Sequence, residues 1–160
     1  MPAPVPRAVH IDDLAHPTFD AATAEMIELA APLGEALELR TGPLMEQAAA
    51  AVGLDDFGDP TFLEPLEVLL TSLRTEAELS PFGRIVVATQ LDQLLRNRLL
   101  ITDLLGRHPE IHDIEIDRPI IVAGLPRTGT THLQNLIAAD PALRSLPYWE
   151  SLEPLPAPGE

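Results

Sequence analysis

The chain has 160 residues, the length of one ordinary domain, and 46% of them are hydrophobic, which is enough to build a buried core. Its net charge is −15, and its ten cations, all arginines, are scattered among 25 acids. This balance argues against nucleic acid and anionic membranes as partners, because both require a basic face. The absence of cysteine excludes structural disulfides, cysteine-bound zinc and thiol catalysis.

Membrane insertion and secretion are also not indicated. No stretch approaches the roughly 20 consecutive apolar residues that cross a bilayer. The segment Met1–Arg7 lacks the apolar core of a signal peptide. We therefore expect a cytoplasmic protein without a membrane span.

Helical spacing of apolar residues dominates the first two thirds of the chain. The longest predicted helix begins at Ser80-Pro81, a favourable N-cap followed by proline in the first turn, and ends at Gly106. We predict Gly106 as its cap and expect Pro109 to prevent continuation. The other predicted helices span residues 18–39, 41–52 and 62–77.

A different pattern starts at Pro119. The run Pro119–Ala123 is short, apolar and β-branched, and it predicts a strand buried on both faces of a parallel sheet. A glycine-containing loop, Gly124–Thr131, follows directly. Residues 130–139 then have helical spacing. The order of strand, loop and helix is the context in which a helix N-terminus binds a phosphate group.

The loop resembles, but does not complete, the nucleotide-triphosphate pattern G-x-x-x-x-G-K-[ST]. Gly124, Gly129 and Thr131 match that pattern, whereas Thr130 stands in place of the lysine that contacts the β- and γ-phosphates. The loop's cation is Arg127, two residues before the second glycine. The residues therefore indicate an anion site that does not hold ATP in the usual way.

The segment Pro126–Thr131 resembles the 5′-phosphosulfate loop of sulfotransferases that use 3′-phosphoadenosine 5′-phosphosulfate (PAPS). The arginine form is similar to tyrosylprotein sulfotransferases and to many bacterial sulfotransferases. Leu54–Pro60, Gly106–Pro109 and Trp149-Glu150 resemble one bacterial branch. The resemblance covers about residues 50–156.

This resemblance implies roles for individual residues. Arg127 would contact the 5′-phosphate and the sulfuryl oxygens. Glu150 would be the catalytic base that accepts the acceptor's proton. PAPS would be the co-substrate, no metal would be required, and the acceptor would carry a hydroxyl or amine of undefined identity. The implied cofactor-binding residues are Pro126, Arg127, Thr128, Gly129, Thr130 and Thr131.

Alternatives remain open at this stage. Glu150 could be a surface acid, with His132 as a second candidate base. His108 and His112 have a spacing that binds zinc on a helix, but Gly106 and Pro109 predict a loop there. At the level of function, the alternatives are a phosphotransferase with an altered loop and a non-catalytic anion-binding remnant.

The predicted architecture is α/β, with the P-loop NTPase-like fold of sulfotransferases, incomplete and mostly helical within residues 1–160. Residues 1–116 would form an α-helical N-terminal region. Residues 117–160 would begin the cofactor-binding α/β domain. We expect the chain to be truncated and inactive alone, because the resemblance places the residues that bind the 3′-phosphate further along the chain. The oligomeric state is not predicted.

Overall fold

The computed structural model describes residues 17–155, so predictions made for residues 1–16 and 156–160 lie outside it. The described part contains six α-helices and two short 3₁₀ helices, Pro60–Phe62 and Pro109–Asp113. None of these helices is both long and apolar enough to cross a bilayer. The α-helices are α1 (Ala21–Ala36), α2 (Thr41–Val52), α3 (Leu63–Thr75), α4 (Pro81–Arg107), α5 (Thr130–Ala138) and α6 (Tyr148–Leu152).

Local capping explains where these helices begin and end. The Ser80 side chain accepts a 3.1 Å hydrogen bond from the N–H of Gly83, and this confirms the predicted start of α4. Gly53 ends α2 in the left-handed conformation that is common for a glycine cap. The cap at the other end of α4 lies two residues later than predicted: the helix continues through Gly106 to Arg107, and His108 is its cap. The prediction of Gly106 as the cap was therefore wrong.

The core lies where α4 packs against α1 and α2, with α3 closing one side. Each buried leucine contributes about 1.5–3 kcal/mol relative to an exposed one. Because α4 contacts both α1 and α2, it is the central helix of the described chain. The buried apolar residues are Leu39, Leu44, Ala48, Leu66, Leu70, Ala88, Leu91, Leu95 and Leu99.

Two arginines attach connecting segments to this core. Arg74 donates to the carbonyl of Leu39 at 2.6 Å and pairs with Glu67 at 3.2 Å. Hydrogen bonds from Thr41 and Arg74 hold the pKa of the Glu67 carboxyl below its usual range. Arg98 donates to the carbonyl of Phe57 at 2.6 Å and so fixes the turn between α2 and α3.

The predicted strand Pro119–Ala123 is not formed. No part of the segment is helical, but within residues 17–155 no strand is paired with it. Ile120 and Ile121 are 61% and 82% exposed, and an open cleft of about 620 Å³ runs between residues 116–122 and α5. A parallel strand requires hydrogen-bonding neighbours on its edges, and the described residues supply none. The mostly helical content agrees with the prediction, whereas the α/β class is not confirmed.

Candidate functional site

The loop between residues 124 and 129 is a tight turn followed by a helix. Thr128 donates to the carbonyl of Leu125 through its N–H at 3.3 Å and through its hydroxyl at 2.6 Å. Pro126 therefore occupies the second position of a four-residue turn, where its fixed φ is favourable. Arg127, the next residue, has a φ of +66°, as the third position of a type II turn requires.

The conformation of Arg127 is unusual for a residue with a side chain. A left-handed backbone at a non-glycine residue costs on the order of 1–3 kcal/mol, and such residues cluster at functional sites. The side chain is exposed, and it forms no ion pair with any residue of the described chain. The loop thus holds an available positive charge in a defined position.

Gly124 allows the loop to fold back onto the segment that precedes it. A β-carbon at this position would lie 2.9 Å from the hydroxyl oxygen of Thr128 and 2.9 Å from a methyl carbon of Thr130. Such distances are below van der Waals contact, so any larger residue would displace the two threonines. The first glycine of the motif is required by packing inside the loop.

The N-terminus of α5 offers hydrogen-bond donors to a ligand. Gly129 is its N-cap, with a φ of +91° and no side chain that could cap the helix. The N–H groups of Thr130, Thr131 and His132 lie in the first turn, where helices leave donors unpaired. They have no acceptor among residues 17–155. Unpaired donors at a helix N-terminus with an adjacent arginine are the chemical groups that bind a tetrahedral anion in other proteins.

Glu150 lies on α6, outside the loop. Its carboxylate oxygen Oε2 pairs with Nη2 of Arg144 at 2.6 Å, and its side chain is 25% exposed. No hydrogen bond or ion pair in the described chain joins Glu150 to the loop residues. The structure therefore does not bring the two predicted catalytic residues, Arg127 and Glu150, into contact. His132, the alternative base, is exposed on the first turn of α5.

Sequence reasoning missed α6 and the arginine that pairs with Glu150. The helix has five residues, and its segment appeared only as proline-rich chain. A local signal was present, because Pro147 precedes the first turn and Glu150 lies in it, where an acid is favoured. Arg144 gave no comparable signal, because its pairing depends on how residues 141–147 turn back on α6.

The two histidines near the end of α4 lie just after this helix, His108 at its cap and His112 beyond it. His108 approaches Glu110 at 3.0 Å, and His112 lies in the 3₁₀ helix Pro109–Asp113. The spacing of an α-helical zinc pair is therefore lost. Within residues 17–155, no group of three or more histidine, aspartate or glutamate side chains is placed to hold a metal ion.

Comparisons with known proteins agree with this geometry. A model of the sulfotransferase family matches residues 119–160, which include the loop, α5 and Glu150. The chain is also similar to the crystal structure of sulfotransferase STF9 from Mycobacterium avium, with 33% sequence identity and a TM-score of 0.68. This similarity covers 76% of the chain and 31% of STF9. No curated protein sequence matches the chain.

Residues 119–160 match the sulfotransferase family, as the loop sequence predicted. The chain spans about a third of the length of the STF9 chain, 31%. The similarity to STF9 extends beyond the loop into the helical region, because 76% of the chain is more than residues 119–160 provide.

Proposed function

We propose that the natural protein transfers a sulfuryl group from PAPS to a hydroxyl or amine of an acceptor. The observation that carries this proposal is the exposed, left-handed Arg127 beside the unpaired N–H groups of α5. Residues 117–160 would then begin the cofactor-binding domain, and residues 1–116 would form a helical region against it.

The loop residues would bind the 5′ end of the donor. The N–H groups of Thr130 and Thr131 would hold the 5′-phosphate, whose negative charge also suits the helix N-terminus. Arg127 would contact the phosphate and the sulfuryl oxygens, and would offset charge as the bond to the leaving group lengthens. Thr130 replaces the lysine of nucleotide-triphosphate loops, so the site lacks the cation that such loops direct at a γ-phosphate.

Sulfuryl transfer forms one bond and breaks one bond at sulfur. The acceptor oxygen or nitrogen forms a bond to sulfur, and the bond from sulfur to the bridging phosphate oxygen breaks. The electron pair leaves on 3′-phosphoadenosine 5′-phosphate (PAP). The acceptor's proton goes to a base, for which we propose Glu150. Arg144 occupies its Oε2, so Oε1 is the oxygen available for the proton.

Calorimetry on the natural full-length protein tests the ligand. We expect PAP to bind more tightly than ATP, and to bind equally well with and without Mg²⁺. Arg127→Ala should weaken PAP binding by the value of a charged hydrogen bond, about 1.5–3 kcal/mol.

Arg118→Ala is the matched control, because Arg118 is exposed and pairs only with its neighbour Asp117 within the described chain. Its PAP affinity should equal that of the unchanged protein. Tighter, Mg²⁺-dependent binding of ATP would instead support the altered phosphotransferase. Binding of PAP without any sulfuryl transfer to a broad acceptor panel would support an anion-binding remnant.

A further inference from the structure

The helix that carries Glu150 is too short to hold its own orientation. α6 has five residues, and isolated helices shorter than about 12–15 residues are marginal in water. Tyr148 and Trp149 point outward and are 77% and 67% exposed, so burial of their rings does not fix the helix. Its position must depend on specific contacts made by other elements.

Besides the ion pair between Arg144 and Glu150, contacts are made at the two ends of α6, and these come from two different helices. Before the helix, the carbonyl of Leu146 accepts a 3.2 Å hydrogen bond from Gln134 of α5. At its end, the carbonyl of Leu152 accepts hydrogen bonds from Asn97 at 2.7 Å and from Gln93 at 3.2 Å. Carbonyls of the last helical turn have no partner inside the helix, so the two amides satisfy a group that would otherwise be unpaired.

The two amides lie four residues apart on α4, the helix with the most buried residues in the described chain, and therefore lie on the same face of it. Their hydrogen bonds are partly buried and span 55 and 59 residues of sequence. Leu152 is only two residues from Glu150. A change in the position of this carbonyl therefore turns the whole five-residue helix, together with its carboxylate.

We propose that Gln93 and Asn97 are positioning residues that hold Glu150 at the angle needed to accept the acceptor's proton. This inference rests on the proposed function, since it requires Glu150 to be the base. It gives the helical N-terminal region a part in catalysis: α4 aligns the base from one side while α5, which starts at the phosphosulfate loop, aligns it from the other.

The test uses the natural full-length protein with Gln93→Glu and Asn97→Asp combined. These substitutions keep the shape of each side chain and replace the N–H donors with oxygens that repel the Leu152 carbonyl. We expect kcat to fall by roughly 10- to 100-fold, the effect of a small displacement of a catalytic group. The KM for PAPS and the affinity for PAP should stay unchanged.

Gln90→Glu, at an exposed position on the same helix, is the control and should leave kcat unchanged.

A double-mutant cycle separates positioning from a general loss of structure. In a Glu150→Gln background, the amide substitutions should cause no further fall in kcat, because they act through the missing base. If they lower kcat as much as in the unchanged protein, or if they leave kcat unaffected while Glu150→Gln abolishes it, the inference is overturned. Should the combined variant fail to fold, Asn97→Ala alone is measured in the same cycle and the same outcomes apply.

Trp149 provides a readout that does not depend on activity. It is the one tryptophan in the 160-residue sequence and lies on α6. Loss of the two amide donors should lower its fluorescence anisotropy in the 160-residue chain, measured at a dilution at which light scattering shows no association. Unchanged anisotropy under those conditions would overturn the inference. A full-length protein that transfers no sulfuryl group would contradict the proposed function instead, and this measurement would still decide whether α4 holds α6.

Discussion

Glu150 has one carboxylate oxygen on Arg144 and the other without a partner in the described chain. This arrangement fits a base whose side chain is held in place while one oxygen stays available. It also fits a surface acid in an ordinary ion pair, which at partial exposure contributes little to stability. The choice between the two roles is therefore a question for kinetics.

If Glu150 is the base, Glu150→Gln in the natural full-length protein should lower kcat by roughly 10²–10⁴-fold, the usual contribution of general base catalysis. PAP affinity should change little, because Glu150 does not contact the loop. The measurement is steady-state kinetics together with calorimetry. Glu153→Gln, at an exposed acid just after α6, is the control. A near-normal kcat for Glu150→Gln would return the residue to the surface-acid role, and His132→Ala would be tested next.

At the scale of elements, the contact between α1 and α4 depends on one glycine. Gly34 is the buried residue of α1, and a β-carbon there would lie 2.0 Å from the carbonyl oxygen of Pro81. That oxygen belongs to the backbone of the first turn of α4 and cannot move aside without shifting the helix. Pro32 in the same helix removes one backbone hydrogen bond, so α1 depends strongly on this packing.

Gly34→Ala should therefore destabilise the protein by about 1–3 kcal/mol or more, the range for forcing extra volume into a packed site. Urea unfolding monitored by circular dichroism measures this change. Gly106→Ala is the matched control: it lies in α4 with open space around its α-carbon, and it should stabilise by about 0.5–1 kcal/mol. Equal effects of the two substitutions would show that α1 does not pack on α4 as described.

The elements differ in how far local sequence defines them. The range of α4 was predicted to within two residues, because its N-cap, its first-turn proline and its apolar spacing are all local signals. The segment Pro119–Ala123 carries an equally clear pattern for a strand, yet it forms none among the described residues. A strand exists only when its N–H and C=O groups meet those of a neighbour, and that requirement is not local.

At the scale of the whole molecule, the helical region has a core, and the described residues after it add nothing to that core. Apolar side chains are buried along α2, α3 and α4, whereas no described apolar residue after residue 113 is buried and most of the large ones are exposed. Five members of the exposed set, Ile116, Ile120, Ile121, Leu143 and Leu146, line the open cleft beside residues 116–122. The whole set is exposed apolar surface of the kind that promotes association. It comprises Ile114, Ile116, Ile120, Ile121, Leu125, Leu133, Leu136, Leu143, Leu146, Tyr148 and Trp149.

We therefore expect the 160-residue chain by itself to show no sulfuryl transfer and to associate through this surface. Its unpaired backbone edges at residues 119–123 favour association as well. The assay combines purified chain, labelled PAPS and a broad acceptor panel, with light scattering to follow association. The Arg127→Ala chain is the control for background. Turnover above that control would show that these residues form a working site without further elements.

The sequence by itself determined α1 to α5, the Ser80 cap of α4 and the glycine-containing loop, because each depends on residues within a few positions of one another. The loop pattern Pro126–Thr131 also sufficed to recognise the family, since its one glycine allows the backbone conformation of the loop and its arginine supplies the positive charge. Only the tertiary structure decided that Pro119–Ala123 is unpaired, that Arg144 holds Glu150, and that Gln93 and Asn97 hold α6. These features join groups far apart in the chain, so they follow from how the helices pack rather than from any local pattern.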